Sequence, residues 1–291
     1  MNKLKIVTDS NSGISQKEGE ELGVFVIPMP FTINDEEFLE EISISQKEFY
    51  KFLEKDADVK TSQPSQFYLE ELWNDLLQEN EEIVYIPMSS GLSGTCENAK
   101  RYAESFGGKV TVVDNKRISI SQKESVFEAI EMAKQGKTAN EIKEYLESTA
   151  HKNSIYIMMG VLKYLKKGGR ISAAAAALGS MLNVKPILCS RGDKFEKFAL
   201  VLSATQGKRK MIAKIKSELE TEFNEEYNSG KMVVYVAHTQ NEEEANKFKE
   251  EIKKELPLLK FRSVDPLSLS VSCHIGPGSL AIAMAVNNYL D

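Results

Sequence analysis

Cysteine is scarce in this chain. Cys96, Cys189 and Cys273 stand far apart, are odd in number and form no CxxC pair, which excludes a disulfide framework and a thiolate zinc site and fits a reducing compartment. Long apolar runs are missing as well: the longest, including AAAAAL from Ala173, fall well short of the roughly 20 residues that span a bilayer. The N-terminus MNKLKIVTDS has no apolar signal core, so a soluble, cytoplasmic protein is expected. There is no basic excess. Lys and Arg number 37 against 43 Asp and Glu, spread along the chain with a net charge of −6, which argues against a nucleic-acid partner. No G-x-x-x-x-G-K-[ST] loop occurs, nor a G-x-G-x-x-G after the first strand, so nucleotide binding is not indicated.

What is present is enough chain, 291 residues with 42% hydrophobic content, for two cored domains. Its organising stretch is IVYIPMSSGLSGT, Ile83 to Thr95. Ile83, Val84, Tyr85 and Ile86 read as an inner strand that Pro87 helps to end. The strand delivers Ser89, Ser90, Gly91, Leu92, Ser93, Gly94 and Thr95 to the start of a helix, CENAKRYAESF. Hydroxyls and open backbone N–H groups at a helix N-terminus suit a carboxylate or phosphate. The same residues also make an ordinary polar turn with a good N-cap.

Before this stretch, Leu4, Ile6 and Val7 form a first strand ending in a polar turn, Thr8 to Gly13. Ser15 and Glu18 have capping-box spacing, and Leu22–Gly23 ends that helix before a second strand, VFVIPMP. A β-loop-α-β order favours a parallel sheet with ligands beyond the carboxyl ends of its strands. Ser45 with Glu48 opens a helix carrying Phe49, Phe52 and Leu53, and Pro64 starts another carrying Phe67, Leu72, Trp73, Leu76 and Leu77. Between them Thr61, Ser62 and Gln63 occupy a loop at a helix N-terminus, a second set of donors or simple caps. Lys109 to Val113 is a strand, a helix follows Ser121, and Thr138 with Glu141 caps the next.

A domain boundary falls near the strand SIYIMMG, giving an α/β N-terminal domain over 1–155 and a smaller α+β domain over 156–291. The second domain shows two helical pieces split by Gly168–Gly169, strands around Ile187–Cys189 and Phe195–Val201, the strand MVVYVAH, a capping-box helix from Asn241 stopped by Pro257, a strand near Phe261–Val264 and a C-terminal helix after Pro277. GLSGT mimics a nucleophile elbow at Ser93, but Thr95 stands where G-x-S-x-G needs glycine. A base would have to come from His151, His238 or His274. His274 sits in HIGPG, a sharp turn at the mouth of an apolar helix. Lys163, Lys166, Lys167 and Arg170 surround two glycines and form either a local basic site or a solvated helix end.

Together TDS after the first strand, TSQPS, SSGLSGT, LKYLKKGGRI, LNVKPIL and HIGPG, in this order, resemble the DegV family, the fatty-acid-binding subunits of bacterial fatty acid kinase (FakB type). The resemblance covers nearly the whole chain. It implies an N-terminal parallel-sheet α/β domain, a second, smaller α+β domain, and a ligand tunnel between them holding one long-chain fatty acid such as palmitate, stearate or oleate. The chain would be a carrier without a cofactor or a metal, and not the catalyst; a separate kinase catalytic subunit would make the acyl phosphate. The resemblance makes Thr61, Ser93 and His274 the carboxylate ligands, with Ser62, Ser90, Gly94 and Thr95 in the nearby loops. Arg170, Glu40, Lys208 and Arg209 would face the partner. The family more often has Asp-Gly where this chain has Glu40–Glu41, and a glycine-rich helix start where it has Ser119 to Gln122. Met88, Met158, Met159 and Met181 are tail-wall or ordinary core residues. A serine esterase using Ser93 and His274, or a small-anion-binding regulatory module, are the alternatives.

Overall fold

Strand β1 (Leu4–Asp9) starts the first of three sheets in a computed structural model that describes residues 3–161, 163–176 and 184–289. Contacts divide the chain into two units, Met1–His151 with Ser268–Ser270, and Lys152–Leu267 with Val271–Asp291.

In the first unit, α1 (Gln16–Leu22) returns the chain to β2 (Phe25–Ile27), parallel to β1. Ser15 Oγ accepts the Glu18 N–H, and Gly23 ends the helix at φ 71°, a left-handed angle that costs glycine little. The Glu18 carboxylate turns to Lys123 Nζ at 2.9 Å, so only half of the expected capping box forms. VFVIPMP is two strands. Past β2 and Pro28, β3 (Pro30–Ile33) joins a separate antiparallel sheet between β4 (Glu36–Leu39) and β5 (Val59–Thr61). A full capping box between Ser45 and Glu48 starts α2 (Gln46–Glu54) between them. Helix α3 (Gln66–Glu79) is capped by Ser65, one residue past the expected Pro64. The main sheet, ordered β2-β1-β6-β7, is parallel throughout and takes β6 (Glu82–Ile86) at its centre and β7 (Val110–Val112) at its edge. Between these two strands runs α4 (Thr95–Ala103), and α5 (Ile120–Lys134) and α6 (Ala139–Ser148) follow them. Trp73 and Tyr85 are fully buried on one face of this sheet, with Phe106 set edge-on to the indole at 5.4 Å. These elements carry the serine loop beyond the carboxyl end of β6.

The second unit is built on a six-stranded mixed sheet. Its elements are β8 (Asn153–Met158), α7 (Lys163–Gly168), α8 (Ala173–Ala176), β9 (Lys185–Ser190), β10 (Glu196–Val201), α9 (Ala204–Glu220), α10 (Asn224–Asn228), β11 (Met232–His238), α11 (Glu242–Glu255), β12 (Lys260–Pro266), α12 (Leu269–Ile275) and β13 (Leu280–Val286). The first two residues of α12 group with the first unit. The order is β10-β9-β8-β13-β11-β12, and the β11-β12 pair alone is parallel because α11 provides the crossover. Met211, Ile212 and Ile215 of α9 and Phe248 and Ile252 of α11 fill one core with the strands beneath.

The expected C-terminal helix after Pro277 is strand β13. All seven of its residues are buried, so no polar alternation marks it as a strand, and its alanines favour helix in isolation. Antiparallel pairing with β8 on one side and β11 on the other decides the outcome. The expected capping box at Asn241 is absent too: Asn241 makes no side-chain cap, and its Nδ2 donates instead to the Gly278 carbonyl at 3.3 Å. Among the described residues no helix is long and apolar enough to cross a membrane.

Candidate ligand-binding site

Leaving β6, the chain is pinned before its serines begin. The Met88 N–H donates to Asp9 Oδ2 at 2.9 Å, and the Ser89 N–H to the Arg117 carbonyl at 2.8 Å. Ser89 is wholly buried; its Oγ accepts the Gly91 N–H at 3.0 Å and its carbonyl accepts the Leu92 and Ser93 N–H groups. This compact turn sets Ser93 at the entrance to α4. Gly94 is the N-cap and, having no side chain, caps nothing. Ser93 Oγ accepts the Thr95 N–H at 3.2 Å and stands 2.9 Å from Thr95 Oγ1. One hydroxyl hydrogen of that pair bonds the other oxygen, and the second is left to donate.

Ser90 turns to a different task. Its Oγ donates to Asp114 Oδ2 at 2.6 Å and accepts from Lys116 Nζ, which also lies 3.1 Å from Asp114 Oδ2. Burial works to raise the Asp114 carboxyl, but the Ser90 and Lys116 bonds hold it below its ordinary range.

Thr61 is the last residue of β5, paired with Phe31, where a loop is expected. Ser62 is exposed, and its N–H donates to the Pro30 carbonyl. The next residue makes the link: Gln63 Oε1 accepts Asn98 Nδ2 at 2.8 Å, and an added Cβ at Gly94 would lie 3.7 Å from the same oxygen. TSQPS is thus tied to the first turn of α4.

At the start of the serine loop lies a buried polar cluster that the sequence reads only as a turn. Asp9, fully buried, accepts the Asn11 N–H, the Met88 N–H and Gln122 Nε2 at 3.1, 2.9 and 3.2 Å. Burial outweighs these bonds and raises its carboxyl to about 6. Gln122 Nε2 also reaches Thr8 Oγ1 and the Ile86 carbonyl, joining β1, β6 and α5. Its spacing from TDS gives no local signal, so only the fold identifies it.

In the second unit, His274 lies in the last turn of α12 and is half-buried. Burial first, and the nearby Arg170 charge second, push its imidazole down to about 4. Gly168 makes room for it: an added Cβ there would stand 2.8 Å from His274 Nδ1. Arg170, exposed, donates through Nη1 to the Gly168 carbonyl at 2.6 Å. Two predicted residues, Arg170 and His274, are therefore neighbours. A neutral imidazole can donate one N–H, and with its pKa near 4 it is a poor general base for a serine nucleophile at neutral pH.

Two residues expected to face a partner are turned inward. Glu40 is 2% exposed, and its carboxylate accepts Ser10 Oγ at 2.7 Å, the Leu269 N–H, and Ser270 Oγ at 3.4 Å. Burial raises it to about 7. Lys208 is 6% exposed and binds Glu251 at 2.5 Å and Glu244 at 3.6 Å. The expected Asp-Gly position has become an internal acceptor, and the lysine an internal cation. Arg209 is exposed. Met158 is core filling, its sulfur lying against Gly207; Met88 and Met159 are also buried. Met181 and the side chains of Lys166 and Lys167 lie outside the described residues.

Known proteins match this chain from end to end. A family model described as "Uncharacterised protein, DegV family" matches residues 3–287. A DegV domain-containing protein of Clostridium perfringens is 28% identical over 290 residues, 97% of each chain. The solved structure of DegV from Bacillus subtilis, described as a fatty acid binding protein, superposes with a TM-score of 0.83 at 28% identity over 99% of this chain and 100% of that chain. A DegV family protein from Thermus thermophilus, solved for its fatty acid binding, gives a TM-score of 0.87 at 25% identity over 98% and 100%. With its parallel sheet, its second sheet unit and its motifs matched along almost its full length, the chain belongs to the DegV family.

Proposed function

We propose that this chain binds one long-chain fatty acid, such as palmitate, stearate or oleate, in a buried tunnel. It then presents the carboxylate to a separate cytoplasmic kinase subunit for acyl-phosphate formation. The observation that carries the binding half is the match, over 98% and 99% of this chain, to the two solved DegV proteins described as fatty acid binding. The carrier half is supported by the family resemblance and by the exposed Arg170 and Arg209. The chain itself has no phosphate loop that would hold ATP.

The physics divides the labour. Burying a sixteen-carbon tail at roughly 0.8 kcal/mol per methylene supplies on the order of 10 kcal/mol before association costs. Hydrogen bonds from Thr61, Ser93 and a neutral His274 add about 1 kcal/mol each. The tail therefore sets affinity, and the hydroxyls set the direction and placement of the head. With Thr95 Oγ1 donating to Ser93 Oγ in their shared pair, the Ser93 hydrogen is left for the carboxylate.

Native mass spectrometry of protein purified without detergent, followed by solvent extraction, tests binding. About one long-chain acid per chain is expected, and a ligand-free mass that fails to shift with added palmitate or oleate would defeat the proposal. Adding ATP and a fatty acid kinase catalytic subunit tests presentation. Acyl phosphate should form with wild type and fall with Ser93→Ala, whereas undiminished transfer would remove Ser93 from the site.

A further inference from the structure

The turn that follows His274 is braced by a side chain the proposed site does not include. Thr239 is the first residue past β11 and is fully buried. Its backbone adds a rung to the β11-β13 ladder: its N–H donates to the Ser279 carbonyl at 3.2 Å, and its carbonyl accepts the Gly278 N–H at 2.7 Å. Any residue but proline could supply those two bonds. The hydroxyl does something more specific, donating to the Gly276 carbonyl at 2.6 Å while accepting the Ser279 N–H at 2.9 Å. One side chain thus spans Gly276–Pro277–Gly278 from end to end.

Gly276 is the point through which this brace acts. Its φ of +75° requires glycine, and the Tyr164 ring covers it so closely that an added Cβ would lie 2.2 Å from the ring. Its N–H donates to the Ser272 carbonyl at 2.7 Å, closing the last turn of α12. His274 is on that turn. On the other side of the loop, Gly160 approaches so closely that a Cβ there would stand 2.3 Å from the Pro277 carbonyl oxygen, and the Gly160 N–H donates to Ser279 Oγ at 3.1 Å. Gly160 and Tyr164 limit where the turn can go, and the Thr239 hydroxyl bonds it in place.

The geometry points to Thr239 as the positioning residue of His274, its hydroxyl clamping the Gly276–Gly278 turn and so holding the imidazole against Gly168 and Arg170. The consequence for a ligand rests on the reading of His274 as a carboxylate donor; the clamp itself does not. Thr239→Val keeps the shape and removes the hydroxyl, leaving the Gly276 carbonyl and the Ser279 N–H without that partner in a buried place. Thr239→Ser keeps the hydroxyl.

The test follows the His274 ring by NMR titration of histidine-labelled protein and measures palmitate affinity alongside. In Thr239→Val the His274 midpoint should rise from about 4 toward its ordinary 6.5 as the ring loses its buried seat, and palmitate should bind about fivefold more weakly. Thr239→Ser should restore both. An unchanged His274 titration in Thr239→Val overturns the proposal whatever happens to the lipid. A shifted titration with unchanged palmitate affinity upholds the clamp and removes His274 from the ligand site. If wild type binds no palmitate, the proposed function falls while the titration still judges Thr239. Should the valine variant not fold, wild type supplies the reading: the clamp predicts a slowly exchanging Thr239 hydroxyl proton with cross-peaks to Gly276 and Ser279, and a rapidly exchanging one overturns it.

Discussion

Glu40 and Leu269, 229 positions apart, meet where α12 begins: the Glu40 carboxylate accepts the first N–H of the helix. Ser10 Oγ binds the same carboxylate at 2.7 Å, and the Ser270 hydroxyl reaches both Glu40 and Asn11 Oδ1. A carboxylate at the start of a helix is well placed electrostatically, but burial opposes its charge.

That opposition has a sign. Glu40 rises from 4.5 to about 7 on folding, so the folded state holds its proton more tightly than the unfolded chain. Its contribution to stability is fully present below about pH 4.5 and is lost as pH rises through about 7. Glu40→Gln, which keeps an acceptor for Leu269, should therefore flatten the fall in stability across this window, seen as urea midpoints at pH 4.5, 6 and 7.5. A slope equal to that of wild type would show that the carboxylate is not held as described.

His274 works in the opposite direction. With a folded pKa near 4 against an ordinary 6.5, its contribution is present above pH 6.5 and is lost as pH falls through 4. A bound carboxylate beside it would raise the midpoint by favouring the imidazolium. Titration with and without palmitate should show that rise, and an unmoved midpoint would separate the imidazole from the head group.

Gly160 has backbone against it rather than a flexible side chain. Gly160→Ala should cost about 3 kcal/mol or more, since the Pro277 carbonyl would have to move. Gly13→Ala is the useful comparison, because its φ of +77° is strained but nothing lies within 4 Å of the added Cβ; it should cost only about 1 kcal/mol. Equal losses in denaturant midpoint would refute the crowding at Gly160.

Lys208 and Arg209 are neighbours with different work to do. Lys208→Ala leaves Glu251 and Glu244 without their buried cation and should lower stability by about 1–2 kcal/mol, a figure reduced because both carboxylates are partly exposed. Arg209→Ala should leave stability unchanged and, under the proposed function, weaken association with a kinase subunit, measured by surface plasmon resonance. The reverse pattern would exchange their roles.

Local signals carried much of this fold. Ser45 with Glu48, and Thr138 with Glu141, form the capping boxes their spacing promises, because capping needs only residues three apart. The strand at Ile83–Ile86 followed by the serine loop was equally legible. Long-range partners were not. Nothing near Glu40 announces Leu269, and nothing near Gly276 announces Thr239.

From the sequence alone came the parallel N-terminal sheet, a further sheet unit, the family resemblance and the hydroxyl-rich loops. The sheets and loops rest on periodicity and capping within short stretches of chain, and the resemblance on the order of short motifs along nearly all of it. Tertiary structure alone decided that LAIAMAV is a central strand, that VFVIPMP divides between two sheets, and that Glu40 and Lys208 turn inward. An apolar run buried on both faces has no internal pattern to separate strand from helix, so its sheet neighbours choose. A charged side chain is buried or exposed according to the partners that folding brings to it, and those partners lie far away in sequence.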